Sequence, residues 1–207
     1  MKKPDYDTWE NAKLIEINDE ILKHARLFDT WLQEYEWRCI GEVGSAAATL
    51  DPEQFRKFVE TCNQHEPWIW KDPRLWLTIG HWIKFLPKEN VSFLIISREP
   101  LQAWISAIIR RKIQTFGYLE RYYSTVHDNI VNFLDQEKLD YVDIVYEDLI
   151  LRPEQVLDRI NKATGNELSL ADFKSVFKGK LYGRQHGVFN FLKAAAIYLK
   201  NYGERRR

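Results

Sequence analysis

Cysteine is scarce in this chain, whose 207 residues hold only Cys39 and Cys62. Two cysteines cannot staple a small scaffold, and without C-x-x-C spacing they point to no zinc or redox site, which suits a reducing compartment. The histidines, His24, His65, His81, His127 and His186, are scattered without ligand spacing, so no metal is expected. No secretory leader opens the sequence and no apolar run reaches transmembrane length, which makes the cytoplasm the expected location and excludes a membrane span. Charge of one sign is not in excess: Lys plus Arg and Asp plus Glu are 30 each, so nothing calls for nucleic acid or an anionic membrane as partner. G-x-S-x-G and G-x-G-x-x-G are both missing, which removes the support for a hydrolase elbow or a dinucleotide fingerprint. There is no internal repeat and no low-complexity segment.

What is present is a globular composition, 45% hydrophobic and 29% charged, with eight Trp, ten Tyr and eleven Phe. The length predicts one domain, residues 1–207, ending in a basic tail at 203–207 within the terminal YLKNYGERRR. Along the chain, Asp7 or Thr8 is the expected cap of a first helix with Glu10 in its first turn and an apolar stripe at Leu14, Ile17, Ile21 and Leu22. Residues 28–50 have no clean period and read as a loop. Asp51, Pro52 and Glu53 start a helix running to about Cys62. Trp68–Lys71 reads as a short buried strand, and Leu75, Ile79, Trp82, Ile83 and Leu86 mark a helix that stops at Pro87. Further elements are a helix over 118–136, a strand over 141–146, a helix opened by Pro153 and closed near Gly165, and a short helix begun by a Ser169/Asp172 capping box.

The chain is organised around residues 91–111. Val91–Ser97 is a β-branched apolar run that reads as a buried parallel strand. Arg98 and Glu99 end it, and Pro100 occupies a first helical position ahead of Leu101, Trp104, Ile105, Ile108 and Ile109. An arginine is thus expected at the carboxyl end of a strand, beside a helix N-terminus that favours an anion, on the edge where open α/β sheets bind ligands. Strands alternating with helices predict a parallel sheet with helical crossovers.

Four segments carry a family resemblance: WENAKLIEINDEIL, KDPRLWLT, SREPLQAWIS and VYEDLILRPEQVLDRI, in that order across most of residues 4–165. In order and spacing the chain resembles the bacterial sulfotransferases that use 3′-phosphoadenosine 5′-phosphosulfate as donor. The resemblance implies a P-loop-NTPase-like three-layer α/β fold, a parallel sheet flanked by helices. It also implies sulfuryl transfer to a hydroxyl or amine of a carbohydrate, lipid or small molecule. It assigns donor 3′-phosphate contacts to Arg98 and Ser106.

Arg98 suits that role physically, since a guanidinium clamps phosphate bidentately; its alternative is an ion pair with Glu99 or Glu147. Ser106 lies two turns into its helix, where a hydroxyl bonded back to a carbonyl is the alternative. In the KDPR turn, Lys71 is a candidate point charge for sulfuryl or 5′-phosphate oxygens, and Arg74 for a phosphate or an acceptor. The alternative has Asp72 capping the next helix while Lys71 and Arg74 pair with carboxylates. The wider family's histidine after this lysine is replaced by aspartate here. Glu10 is then the candidate base, as the more distant tyrosylprotein sulfotransferases use a glutamate in the corresponding region, with Asp72 second. Glu147 and Asp148 are expected to shape the sheet end. Trp9, Trp31, Trp37 and Trp76 are candidate acceptor walls or, equally, core.

The chain departs from the family at its beginning. Sulfotransferases open with a strand and a cationic Gly-rich loop that cradles the 5′-phosphosulfate, before the WEN segment; this sequence starts at Met1, almost on that segment. The expectation is therefore a truncated or degenerate sulfotransferase-like domain without its first strand and phosphate loop. The glycines of CIGEVGSAAATL lack a cation and fall in the wrong order. A sheet without that strand would leave an unpaired edge that favours self-association. The alternative function is a catalytically inactive nucleotide-binding or interaction protein.

Overall fold

The computed structural model describes residues 10–27, 39–176 and 187–204. Contacts divide the chain into two compact units, Met1–Val91 and Ser92–Arg207. The whole is mixed α/β and mostly helical, and among the described residues the sheet has two parallel strands.

The first unit is helical. Helix α1 (Ala12–His24) buries Leu14, Ile17, Ile21 and Leu22, the stripe read from the sequence, together with Asn18. Its cap is Asn11, whose side chain accepts from the Lys13 and Leu14 N–H groups at 2.9 and 3.0 Å. The expected caps Asp7 and Thr8 lie outside the described residues, and Glu10 precedes the cap and is not in the first turn. Helix α2 (Cys39–Ala47) replaces part of the expected loop. Its fully buried Val43 and Ala47 are four residues apart, so a narrow stripe packs where small neighbours allow close approach. Of the rest of that loop, 48–50 form a turn, and 28–38 lie outside the described residues, as do Trp9, Trp31 and Trp37. Helix α3 (Pro52–Asn63) starts as read, with Asp51 accepting from Glu53 N–H at 3.0 Å and Pro52 in the first turn. Helix α4 (Leu75–Trp82) is shorter than expected, its apolar face continuing through Ile83 and Leu86 in a turn that a 3-10 helix, Lys88–Asn90, follows.

Trp68–Lys71 is not a strand. The segment alternates as a strand would, with Trp70 ringed by Phe58, Trp68 and Trp82 and Ile69 76% exposed, but no described chain offers it a ladder of hydrogen bonds.

The second unit holds the sheet. Strands β1 (Phe93–Ser97) and β2 (Tyr141–Val145) pair in parallel, Phe93 opposite Tyr141 through Ser97 opposite Val145. Parallel neighbours need a long crossover, here α5 (Pro100–Ile109) and α6 (Phe116–Gln136), the latter capped by Thr115. After β2 come α7 (Tyr146–Leu151), α8 (Pro153–Thr164) and α9 (Leu170–Val176). Gly165 ends α8 at φ 68°, the left-handed position that glycine fills without strain. Ser169 and Asp172 form the reciprocal box before α9, hydroxyl to carboxylate at 2.6 Å.

Helix α10 (Val188–Lys200) corrects the reading of the chain end. Tyr198, expected in a solvated tail, packs its ring 5.7 Å from Trp104, and a 3-10 turn covers Tyr202–Glu204; residues 205–207 of the basic tail lie outside the described residues. One core joins Trp104, Ile105, Ile108, Ile113 and Leu119 to Ala194 of α10. A smaller one joins Val142 and Ile144 to Val156 beneath Leu94, Leu149 and Ile160. No described helix is long and apolar enough to cross a membrane.

Candidate functional site

The predicted site residues fall into two clusters, one in each unit. In the first, the residue that organises the KDPR turn is one that the sequence reading missed. Asn18 is fully buried on α1; its amide N–H donates to Asp72 Oδ2 at 2.8 Å. Its Oδ1 accepts from the Thr78 hydroxyl at 3.0 Å and from the Trp82 indole N–H at 2.8 Å. A polar residue in the middle of an apolar stripe was the signal available, since buried amides are retained where all their bonds are made.

Asp72 is accordingly committed. Its carboxylate has no exposed surface and accepts on Oδ1 from both the Arg74 backbone N–H and guanidinium, each at 2.9 Å. Arg74 also reaches Asp19 at 2.8 Å, so its three-quarters-buried side chain is held between two carboxylates. This is the pairing alternative for Arg74, a turn locked by its own charges; Asp72 is not the cap of α4, since Arg74 holds that position and no side-chain cap bond is made there. Lys71 and Glu10 are close, Nζ to Oε1 at 3.9 Å, with Lys71 57% exposed and Glu10 21%. The two candidates for charge stabilisation and proton transfer are therefore neighbours in space, although 61 positions separate their numbers.

In the second unit Arg98 follows β1 and is one-third exposed. Its Nε donates to Glu147 Oε1 at 3.5 Å, and its guanidinium carbon lies 5.1 Å from the Tyr146 ring centre. Glu147, with 4% of its side chain exposed, also accepts the Glu99 backbone N–H at 3.0 Å. The sheet-shaping role expected for Glu147 has a concrete form here, a buried carboxylate tying the end of β1 to the start of α7. Ser106 is half-buried on α5 between Ile105 and Ala107, and among the described hydrogen bonds its hydroxyl makes none to a carbonyl one turn back. The first turn of α5 has no side-chain cap. This helix N-terminus, with its positive dipole end, lies next to Arg98 in sequence, and the combination suits a phosphate.

A second polar cluster in this unit went unseen because its partners are far apart in sequence. His127 of α6 bonds Asp143 of β2 through Nε2 at 2.8 Å and approaches Asp128 through Nδ1 at 3.4 Å. Burial, the largest influence, pulls the His127 pKa down, but the two carboxylates together outweigh it and raise it above 6.5. The charged imidazole is favoured in the folded chain, so its contribution is complete below about pH 6.5 and disappears as pH rises through the folded value. Relative to His127→Gln, the wild type is expected to gain about 0.5 kcal/mol at pH 5.5 and nothing at pH 8.5, by urea unfolding. An equal difference at both pH values would exclude the ionic contribution.

His81 behaves oppositely. Burial, aided by Lys84, lowers its pKa to about 4, and among the described residues neither ring nitrogen has a hydrogen-bond partner. It is a neutral core aromatic, edge-on to Phe55 at 4.5 Å. No group of three or more His, Cys, Asp and Glu among the described residues could hold a metal ion. Scans of the chain against known protein families, curated proteins and solved structures return no match.

Proposed function

We propose that this chain is a sulfotransferase-like protein built on a P-loop-NTPase-like parallel sheet, of which β1 and β2 are two strands. The proposed reaction moves a sulfuryl group from 3′-phosphoadenosine 5′-phosphosulfate to a hydroxyl or amine acceptor, in the cytoplasm. The observation that carries this reading is Arg98 at the carboxyl end of a parallel strand, next to the uncapped N-terminus of α5. Arg98 engages Glu147 through Nε alone in the described bonds, which leaves the terminal guanidinium nitrogens suited to a 3′-phosphate; Ser106, one helix face further on, is the second contact.

In the transfer, the acceptor oxygen forms a bond to sulfur as the bond from sulfur to the nucleotide's phosphate oxygen breaks. The acceptor's proton passes to a base, and negative charge grows on the leaving phosphate. Glu10 is the base in this reading and Lys71 the cation that steadies charge; their proximity supports assigning them to one step. Asp72 and Arg74 position the turn that carries Lys71, because each is already held by buried or paired partners.

The second reading is a non-catalytic nucleotide-binding or interaction protein. It is favoured by Arg98 being partly committed to Glu147. Calorimetric titration with 3′-phosphoadenosine 5′-phosphate, the donor product, tests the shared element. Saturable binding is expected, weakened at least tenfold by Arg98→Ala, about 1.4 kcal/mol. No binding by the folded wild-type chain would overturn both nucleotide readings. Binding without turnover across an acceptor panel would select the second.

A further inference from the structure

A groove of about 550 Å³ opens in the first unit between the start of α1 and one face of α3. That is the volume of a small-molecule site. Most of the surface facing it is carbon, and its lining includes the half-buried Trp68 and the edge of the buried Phe58. Both rings are held in place from behind: Phe58 stacks on Trp70 at 5.4 Å, and Trp68 lies 5.0 Å from Trp70 while its indole N–H donates to Asn63 at 3.1 Å. A wall already fixed loses little freedom when a flat ligand settles on it.

The charged lining has one sign. Lys13 and Lys57 border the groove, and no carboxylate is among the described residues that line it. Each lysine has an acidic neighbour on its own helix, Glu16 at 3.0 Å and Glu53 at 4.0 Å, but these are exposed pairs one turn apart. Such pairs are worth a few tenths of a kcal/mol, so either ammonium can turn to a ligand anion. His65, also on the rim, bonds the Thr61 carbonyl through Nδ1 at 2.8 Å. A carbonyl only accepts, so Nδ1 carries the proton and the neutral ring keeps Nε2 as an acceptor.

We propose that this groove binds a small aromatic carboxylate, its ring against Trp68 and its anion between Lys13 and Lys57. A sugar acid would need a lining rich in hydrogen-bonding groups, whereas this one is mostly carbon. The inference does not depend on the sulfuryl-transfer reading, since none of its residues is used there.

The test is equilibrium dialysis of the full chain against 2-naphthoate, with 2-naphthamide as the neutral isostere and glucuronate as the sugar acid. One saturable site is expected for 2-naphthoate, with 2-naphthamide and glucuronate each at least tenfold weaker. Lys13→Met combined with Lys57→Met, two exposed positions that leave folding intact, should weaken 2-naphthoate at least tenfold while sparing 2-naphthamide. Trp68→Ala, checked for an unchanged unfolding transition, should weaken both aromatic probes. Absence of saturable 2-naphthoate binding, tighter binding of glucuronate, or unchanged affinity in the double lysine variant would overturn the proposal.

Discussion

Asn18→Ala is expected to cost about 3 kcal/mol of stability, by the scale of buried polar groups left without partners. The Trp82 indole N–H would lose its acceptor, the Thr78 hydroxyl its better one, and Asp72 Oδ2 its donor, all inside the first unit. Water cannot readily repair the loss, since Asn18, Thr78 and Trp82 have no exposed surface. Because domains are stable by only about 5–15 kcal/mol, the urea midpoint should fall visibly. The same substitution should loosen the turn that carries Lys71, as Asp72 would retain Arg74 alone among its described side-chain partners. A loss below about 1 kcal/mol would mean that the three groups find other partners, and the hub assigned to Asn18 would have to be abandoned.

Trp104→Ala should cost more, about 3–5 kcal/mol, the range for removing a large aromatic from a packed interior. Trp104 is 7% exposed, donates its indole N–H to the Gln114 carbonyl at 3.1 Å, and is ringed by Phe116, Phe191 and Tyr198. Two of these rings belong to α10, so the cavity would open between α5 and the last helix. Trp104→Phe keeps a ring and loses the donor, and is expected to cost about 1 kcal/mol for the unpaired carbonyl plus a smaller packing loss. The two variants together separate packing from hydrogen bonding in one denaturation series. Equal losses would assign the effect to the indole N–H, and a loss under about 2 kcal/mol in the alanine variant would show that α10 collapses onto the vacated space.

What the sequence made legible was local. Pro153 and Gly165 bracket α8 because φ near −65° and a left-handed φ are properties of single residues. The strand at Tyr141 and the helix after Pro100 were readable for similar reasons, from β-branched density and from a proline whose missing N–H is harmless. Trp68–Lys71 misled because a short apolar run looks locally like a buried strand, while a strand needs a partner that no local pattern names. Helix α2 was hidden by its small residues, which pack closely but give a faint period. The site shows the same division. Arg98 was legible from the end of its strand, and its ion pair with Glu147 was one of the alternatives read for it, but the bond from the Glu99 N–H to Glu147 depends on a contact across 48 positions that was not. Lys71 and Glu10 were candidates for chemistry by resemblance, and their mutual approach is a fact of folding that neither neighbourhood encodes.

The parallel pairing of β1 with β2 also sets an order of events during synthesis. A hairpin can close as soon as its turn leaves the ribosome, but β1 has its described partner only after Tyr141–Val145 has emerged. A nascent chain extended as far as Asp140 already has the whole of α5 and α6, whose mutual contacts are local, while five residues of β1 still wait for their ladder. Since Glu147 emerges later still, the carboxylate that holds Arg98 is in place only after the sheet has been able to form.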